Sequence, residues 1–313
     1  FTRHTDFWLD NGNLILLAGN ATFRVYQGLL MKKSVVFADM FSTGSADATE
    51  TFDGCPVVCI PDHLEDLGDF LQYLMPCSEL RLRDGLPMSN FSELHTAIHL
   101  AHKYQCPDVE TRALSVLTKY YTPHFTDYTR YNTSRPSMLR PPCNVAITAV
   151  NIARLTETLS MLPFALYQVC TLKGQMMDGY RRHNGSIKHL SAEDLRLCIG
   201  ARSDLAKEMA FFVKAVFTVT PSAGCRTAEQ CMAALIDIFD DVKLNALGGC
   251  DVLDSYDETI ETWAVDFKLC KICKKGMLDR EVAERRKVWK LLPGVFGMTV
   301  EDCGFTSRVE SSW

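Results

Sequence analysis

Cys225, Cys231, Cys270 and Cys273 are the residues of this chain whose type and spacing point most directly to chemistry. Cys270 and Cys273 form a Cys-x-x-Cys. Two thiolates so spaced can chelate one tetrahedral zinc ion, and a distant second pair can close the shell as a structural site. Five residues separate Cys225 from Cys231, and thirty-eight lie between the two pairs. The first gap exceeds the roughly two to four residues usual for such sites. Separate thiols therefore remain an open reading, as does a redox pair at Cys270 and Cys273. The redox reading wants a βαβ setting, which the surrounding sequence does not offer. Cys250 and Cys303 are substitutes if one of the four does not ligate.

The remaining candidates are weaker. Thirteen cysteines, an odd number, fit thiols and metal ligands better than a disulfide framework. Cys59, Cys106, Cys170 and Cys198 sit in apolar patterns where cysteine behaves as a small buried hydrophobe. His95, His99 and His102 follow each other at steps of four and three along one helix edge, and imidazole is a common metal ligand. They also border the apolar face of Leu94, Ile98 and Ala101, and no fourth ligand accompanies them. That spacing is expected of boundary histidines. From Lys268 to Lys290 nine basic residues stand against three acidic ones, a local balance of +6. A basic helix beside a zinc knuckle could meet nucleic acid, whereas a solvated face laced by Glu281 with Arg285 and Asp279 with Arg286 accounts for the same charges. No Gly-x-Ser-x-Gly, phosphate-cradling glycine loop or His-Glu-x-x-His occurs. The expectation is therefore a protein that is not an enzyme, an unrecognised catalytic site being the remote alternative.

Composition sets the same bounds. The 313 residues suffice for two domains, and 47% hydrophobic with 23% charged residues is globular in character. A net charge of -5 argues against a chain whose main task is neutralising phosphates. No apolar run approaches the ~20 residues of a membrane span, and no signal-like apolar region opens the chain. The expected location is the cytoplasm or nucleus, with no membrane partner.

Several elements must position these groups. Leu14 to Leu17, Gly19-Asn20 and Thr22 to Tyr26 read as a β-hairpin. The period then turns helical through Leu29, Leu30, Val35, Val36, Phe37, Met40 and Phe41. Ser42 to Gly54 has loop composition, and Cys55 to Pro61 suits a short strand. Leu64, Leu67, Phe70, Leu71 and Leu74 mark a helix with Asp62 as its expected N-cap. Asn90 and Glu93 read as a capping box, and Pro107 starts a further helix. Between Tyr121 and Asn144 prolines interrupt every pattern. Beyond them, helices are expected from Val145 to Leu162, from Pro163, from a Ser191 cap, over Ala201 to Val219, over Thr227 to Val242 and over Asp279 to Leu292.

The wording FWLDNGNLILLAGNATFRVYQGLL followed by VVFADMF, with Phe37, Met40 and Phe41 at the helix turn, resembles the start of a BTB/POZ domain. It is most similar to the large fungal BTB/POZ group. The resemblance covers about residues 4 to 121. It extends more weakly to the second half, where spaced cysteines precede a charged helix and Trp289, Leu292-Pro293 and Phe296. It implies an α+β BTB/POZ domain over 1–121; the interrupting prolines mark a proline-containing linker over 122–143, and the helical periods beyond it an all-α domain over 144–313. It also implies protein-protein interaction, by self-association or by adapting a substrate to a cullin ubiquitin ligase scaffold. The alternative is a nucleic-acid-binding regulator using residues 268–290. Zinc at the four cysteines is the one cofactor expected.

Overall fold

The computed structural model describes residues 1–43, 51–74, 91–134, 143–246 and 248–305. An N-terminal region holds a small mixed sheet with helices, and a mostly helical region follows. Strands β1 (Thr2–Trp8), β2 (Leu14–Ala18), β3 (Ala21–Val25), β4 (Thr51–Phe52) and β5 (Cys55–Cys59) form one sheet in the order β1-β3-β2-β5-β4. β2 and β3 pair antiparallel in register from Leu14 with Val25 to Ala18 with Ala21. Gly19, at φ 59, makes the tight turn between them, a conformation glycine adopts at no steric cost. β2 also pairs parallel with β5. It is thus covered on both sides, and Leu14, Ile15 and Leu16 are at most 1% exposed.

β1 is a strand that the apolar pattern does not announce. Of its seven residues only Phe7 is buried, because β1 lies on the sheet edge, paired with β3 alone. Helices α1 (Gln27–Lys33), α2 (Val35–Thr43) and α3 (Leu64–Leu74) enclose the first core with the sheet. Phe23, Leu30, Phe37, Leu67 and Phe70 are fully buried in it, and Phe37 stacks on Tyr104 at 4.5 Å. Asp62 does not cap α3. Its carboxylate instead accepts from Lys103 Nζ at 2.6 Å and from the Tyr104 hydroxyl. Asn90 of the expected capping box lies outside the described residues.

Helices α4 (Phe91–Lys103) and α5 (Pro107–Tyr120) face two ways. Leu100, Ala101 and Val109 belong to the first core. Leu94, Ile98, Ala113 and Leu117 belong to a second, larger one that continues through the helical region. Pro107 opens α5, as its missing N–H allows. Within 122–143 the structure forms α6 (Phe125–Ser134), where the sequence reading finds no pattern. Phe125 and Tyr128 are the buried apolar contacts among its described side chains, too few to register as a period.

The helical region then runs α7 (Ala146–Leu155), α8 (Leu162–Thr171), a two-stranded hairpin of β6 (Tyr180–Arg181) and β7 (Ile187–Lys188), α9 (Ala192–Val216), α10 (Ala228–Ala246), α11 (Asp257–Asp266) and α12 (Lys271–Val295). Three expectations change here. The helix expected from Val145 to Leu162 is broken, with Glu157 at φ 53 turning the chain before α8. The helix starting at Ser191 and the apolar one from Ala201 are a single helix, α9. The charged helix expected from Asp279 begins eight residues earlier, at Lys271. Ser191 does cap α9, its Oγ accepting from Asp194 N–H at 3.0 Å. Replacing it by Ala removes that acceptor, and Ser191→Ala is expected to cost about 1 kcal/mol in urea unfolding.

Candidate metal centre

The four cysteines expected from spacing to form a site are brought together. The Sγ atoms of Cys225, Cys231, Cys270 and Cys273 all lie within 4.8 Å of one another, and they form the one such ligand group among the described residues. Cys225 and Cys270 are 3.7 Å apart at sulfur. A tetrahedral ion with bonds of about 2.3 Å sets its sulfurs about 3.8 Å apart. The cluster is therefore of a size to ligate a metal ion.

Three pieces of chain deliver the thiols. Cys225 sits in the turn after α9, where Gly224 takes φ 84 and Cys225 N–H donates to Ser222 O at 3.1 Å. Cys231 lies in the first turn of α10. Cys270 is the N-cap of α12, its Sγ accepting from Cys273 N–H at 3.4 Å. Two helix N-termini thus meet at the sulfurs. Their dipoles and spare N–H groups favour negative charge there.

Backbone amides point at the sulfurs as well. Ser222 N–H donates to Cys273 Sγ at 3.3 Å and Cys270 N–H to Cys231 Sγ at 3.5 Å, while the Thr227 hydroxyl lies 3.3 Å from Cys231 Sγ. Such outer contacts orient ligands and temper their charge. The long gap between Cys225 and Cys231 is explained by the same geometry. Cys225 must precede α10 while Cys231 sits one turn inside it, so the pair spans a loop-to-helix junction rather than a knuckle.

Electrostatics agree. Burial opposes ionisation at Cys270, but the Cys273 amide and the neighbouring thiols outweigh it and bring the group down to about 7. Burial and the adjacent sulfurs push Cys273 up to about 12. Cys270 thus ionises readily and Cys273 resists, as two like charges this close must. A bound cation would lift that restriction. All four positions are filled by protein sulfur, which leaves no open site for substrate and suits a structural role.

The other sequence candidates lie elsewhere. Cys250 Sγ donates to Cys170 O at 3.3 Å, and Cys303 Sγ contacts Met298 Sδ at 3.7 Å, so neither substitutes for a member of the four. Cys106, Cys170 and Cys198 are buried as expected, but Cys59 is exposed, because it ends β5 with its side chain on the outer face. His95 is buried and stacks on His99 at 5.8 Å, whereas His102 is exposed beside Glu110 at 3.2 Å. Of the basic run, Lys274 pairs with Glu261 at 2.7 Å, Lys287 pairs with Glu284, and Arg280 Nε donates to Val216 O at 3.0 Å. Arg285 Nη2 donates to buried Glu281 at 3.0 Å, the expected pair, and the Arg286 guanidinium lies over Phe125. Three of the nine cations thus pair with carboxylates of the chain, one of them, Arg285, buried. No family model, curated protein or solved structure matches this chain.

Proposed function

We propose that this chain is a protein-interaction module of the BTB/POZ type whose helical region is stapled by one structural zinc ion. The carrying observation for the zinc is the set of four thiols within 4.8 Å, drawn from three separate segments and facing two helix N-termini. Thiolates select zinc among the common divalent ions. A closed shell holds chain segments together and performs no turnover. The interaction reading is supported by the order of a hairpin, two short helices, a strand parallel to the hairpin and three helices.

Recognition by such a fold would use its sheet edge and helix surfaces. β1 supplies an edge with mostly exposed side chains, open to pairing with a strand from a partner or a second copy. Either self-association or a cullin scaffold fits this chemistry. The test is light-scattering mass of the zinc-loaded chain, alone and with a cullin N-terminal domain. A mass near twice 35.2 kDa, or a stable complex with the cullin, supports the reading. A monomer that ignores the cullin at ~10 μM would remove both named partners, since specific complexes are commonly tighter than that.

A further inference from the structure

The four thiols of the metal centre are not equally placed. Cys231 and Cys273 are 0% and 1% exposed, whereas Cys225 and Cys270 are partly open to solvent. The two open thiols are also neighbours, 3.7 Å apart at sulfur. They come from segments separated in sequence by all of α10 and α11, the turn after α9 and the start of α12. The buried pair is engaged from within the fold. Cys231 Sγ accepts from Cys270 N–H and lies beside the Thr227 hydroxyl, and Cys273 Sγ accepts from Ser222 N–H.

Contacts other than sulfur keep the two open thiols face to face. The turn after α9 lies directly on α12 at Gly276, where any Cβ would collide with Ser222 Oγ. One helical turn further on, Arg280 Nε donates to Val216 O at 3.0 Å, at the end of α9. The approach of Cys225 to Cys270 is thus set by packing and does not wait for an ion. A disulfide holds its sulfurs about 2.05 Å apart, so closure asks for roughly 1.7 Å of approach. Side-chain rotation can supply that, and Cys225 follows Gly224 in a turn rather than standing inside a helix.

We propose that Cys225 and Cys270 are a redox pair, which a hydroperoxide converts to a disulfide with release of the zinc ion. The loss of zinc rests on the reading given above, whereas the pairing of the thiols rests on their geometry alone. One thiolate attacks a peroxide oxygen: the S–O bond forms, the O–O bond breaks and hydroxide leaves. The second thiolate attacks that sulfur: the S–S bond forms, the S–O bond breaks and a second hydroxide leaves. Two electrons pass from the two sulfurs to the peroxide. Cys231 and Cys273 then remain as two ligands, too few for a closed tetrahedral shell.

The new bond joins the same two segments that the ion joined. The turn after α9 stays fastened to α12, and α10 alone gives up its tie, at Cys231. A disulfide between Cys270 and Cys273, the pair that sequence spacing suggests, would lie within the start of α12 and fasten nothing to it.

The zinc-loaded full chain is treated with hydrogen peroxide, released zinc is read with a chromogenic chelator, and the alkylated protein is digested with trypsin. Cleavage after Arg226, Lys243, Lys268, Lys271 and Lys274 puts each of the four cysteines on its own peptide. About one zinc per disulfide is expected, with peptide 215–226 linked to peptide 269–271, and a thiol reductant should restore zinc binding. The oxidised chain is expected to unfold at higher urea than reduced chain stripped by a chelator, because the link closes a long loop of the unfolded state. A disulfide from Cys270 to Cys273 or Cys231 overturns the proposal. So does a urea midpoint no higher than that of the stripped chain. Zinc retained, with Cys225 and Cys270 reduced, under peroxide that has oxidised the exposed Cys59 overturns it too. Zinc absent before peroxide is added sinks the staple instead, and the peptide map then decides the thiol pair by itself.

Discussion

About one zinc per chain is expected in purified protein by elemental analysis, and essentially none in the Cys270→Ser, Cys273→Ser double variant. The variant removes two of four sulfurs, including the N-cap of α12, and leaves Cys225 and Cys231 with no means of closing a tetrahedral shell. Apparent zinc-binding energies in small zinc domains are on the order of 10 kcal/mol. This chain keeps a large apolar core around the site, so only part of that would register as lost stability. A loss of several kcal/mol is expected, lowering Tm by more than about 10 °C for a region of this size. The loss should begin where the staple acts, at the α9–α10 turn and the α11–α12 junction. The first core around Phe23, Phe37 and Phe70 shares none of its buried residues with the second and should retain its own protection. Stripping zinc with a chelator should reproduce the variant. A double variant that holds zinc, or melts with the parent, sinks the staple. A parent chain without zinc would leave four neighbouring thiols.

The cysteine cluster was legible because two of its thiols lie three apart and because thiols are scarce outside apolar patterns. Its outer contacts were not. The amides of Ser222, Cys270 and Cys273 reach sulfur through a turn and a helix start whose approach depends on the packing of α9 against α12. Sequence periodicity carries no record of that packing. The sheet shows the same division. β2 and β3 were readable from apolar and β-branched residues around Gly19-Asn20, whereas β1 hides because an edge strand buries little. The β6–β7 hairpin was missed although Asn184-Gly185, a strong turn dipeptide, stands in plain view. Its strands are two residues each, too short for alternation to register, and its anchoring Arg182 looks like any surface cation until Asp66 is found opposite. Helix joints failed in a related way. A bend at Glu157 and continuity through Gly200 within α9 are decided by neighbouring helices, where local propensity is only a weak prior.

Trp289→Ala is expected to produce the largest loss of stability among single substitutions of side chains remote from the cysteines. Trp289, 2% exposed near the end of α12, gathers aromatic rings from widely separated segments. Tyr128 stacks on it at 4.6 Å, Phe164 lies at 5.2 Å, Phe305 at 5.8 Å and Phe125 at 6.0 Å. Its Nε1–H donates to Pro123 O at 3.0 Å, tying α12 to the chain just before α6. Truncation opens a cavity among four aromatic partners, for which about 3–5 kcal/mol is usual, and it strands the Pro123 carbonyl at a further ~1 kcal/mol or more. Trp289→Phe separates the two effects. It keeps a ring in the stack and loses the donor, so a cost of about 1–2 kcal/mol is expected. Urea unfolding followed by far-UV circular dichroism reads both. If Trp289→Ala falls within ~1 kcal/mol of the parent, the aromatic cluster does not hold α6 in place, since a collapsed site would have had to absorb the whole cavity. If the Ala and Phe variants cost the same, the hydrogen bond to Pro123 rather than the stack is what binds residues 125–134 to the helical core.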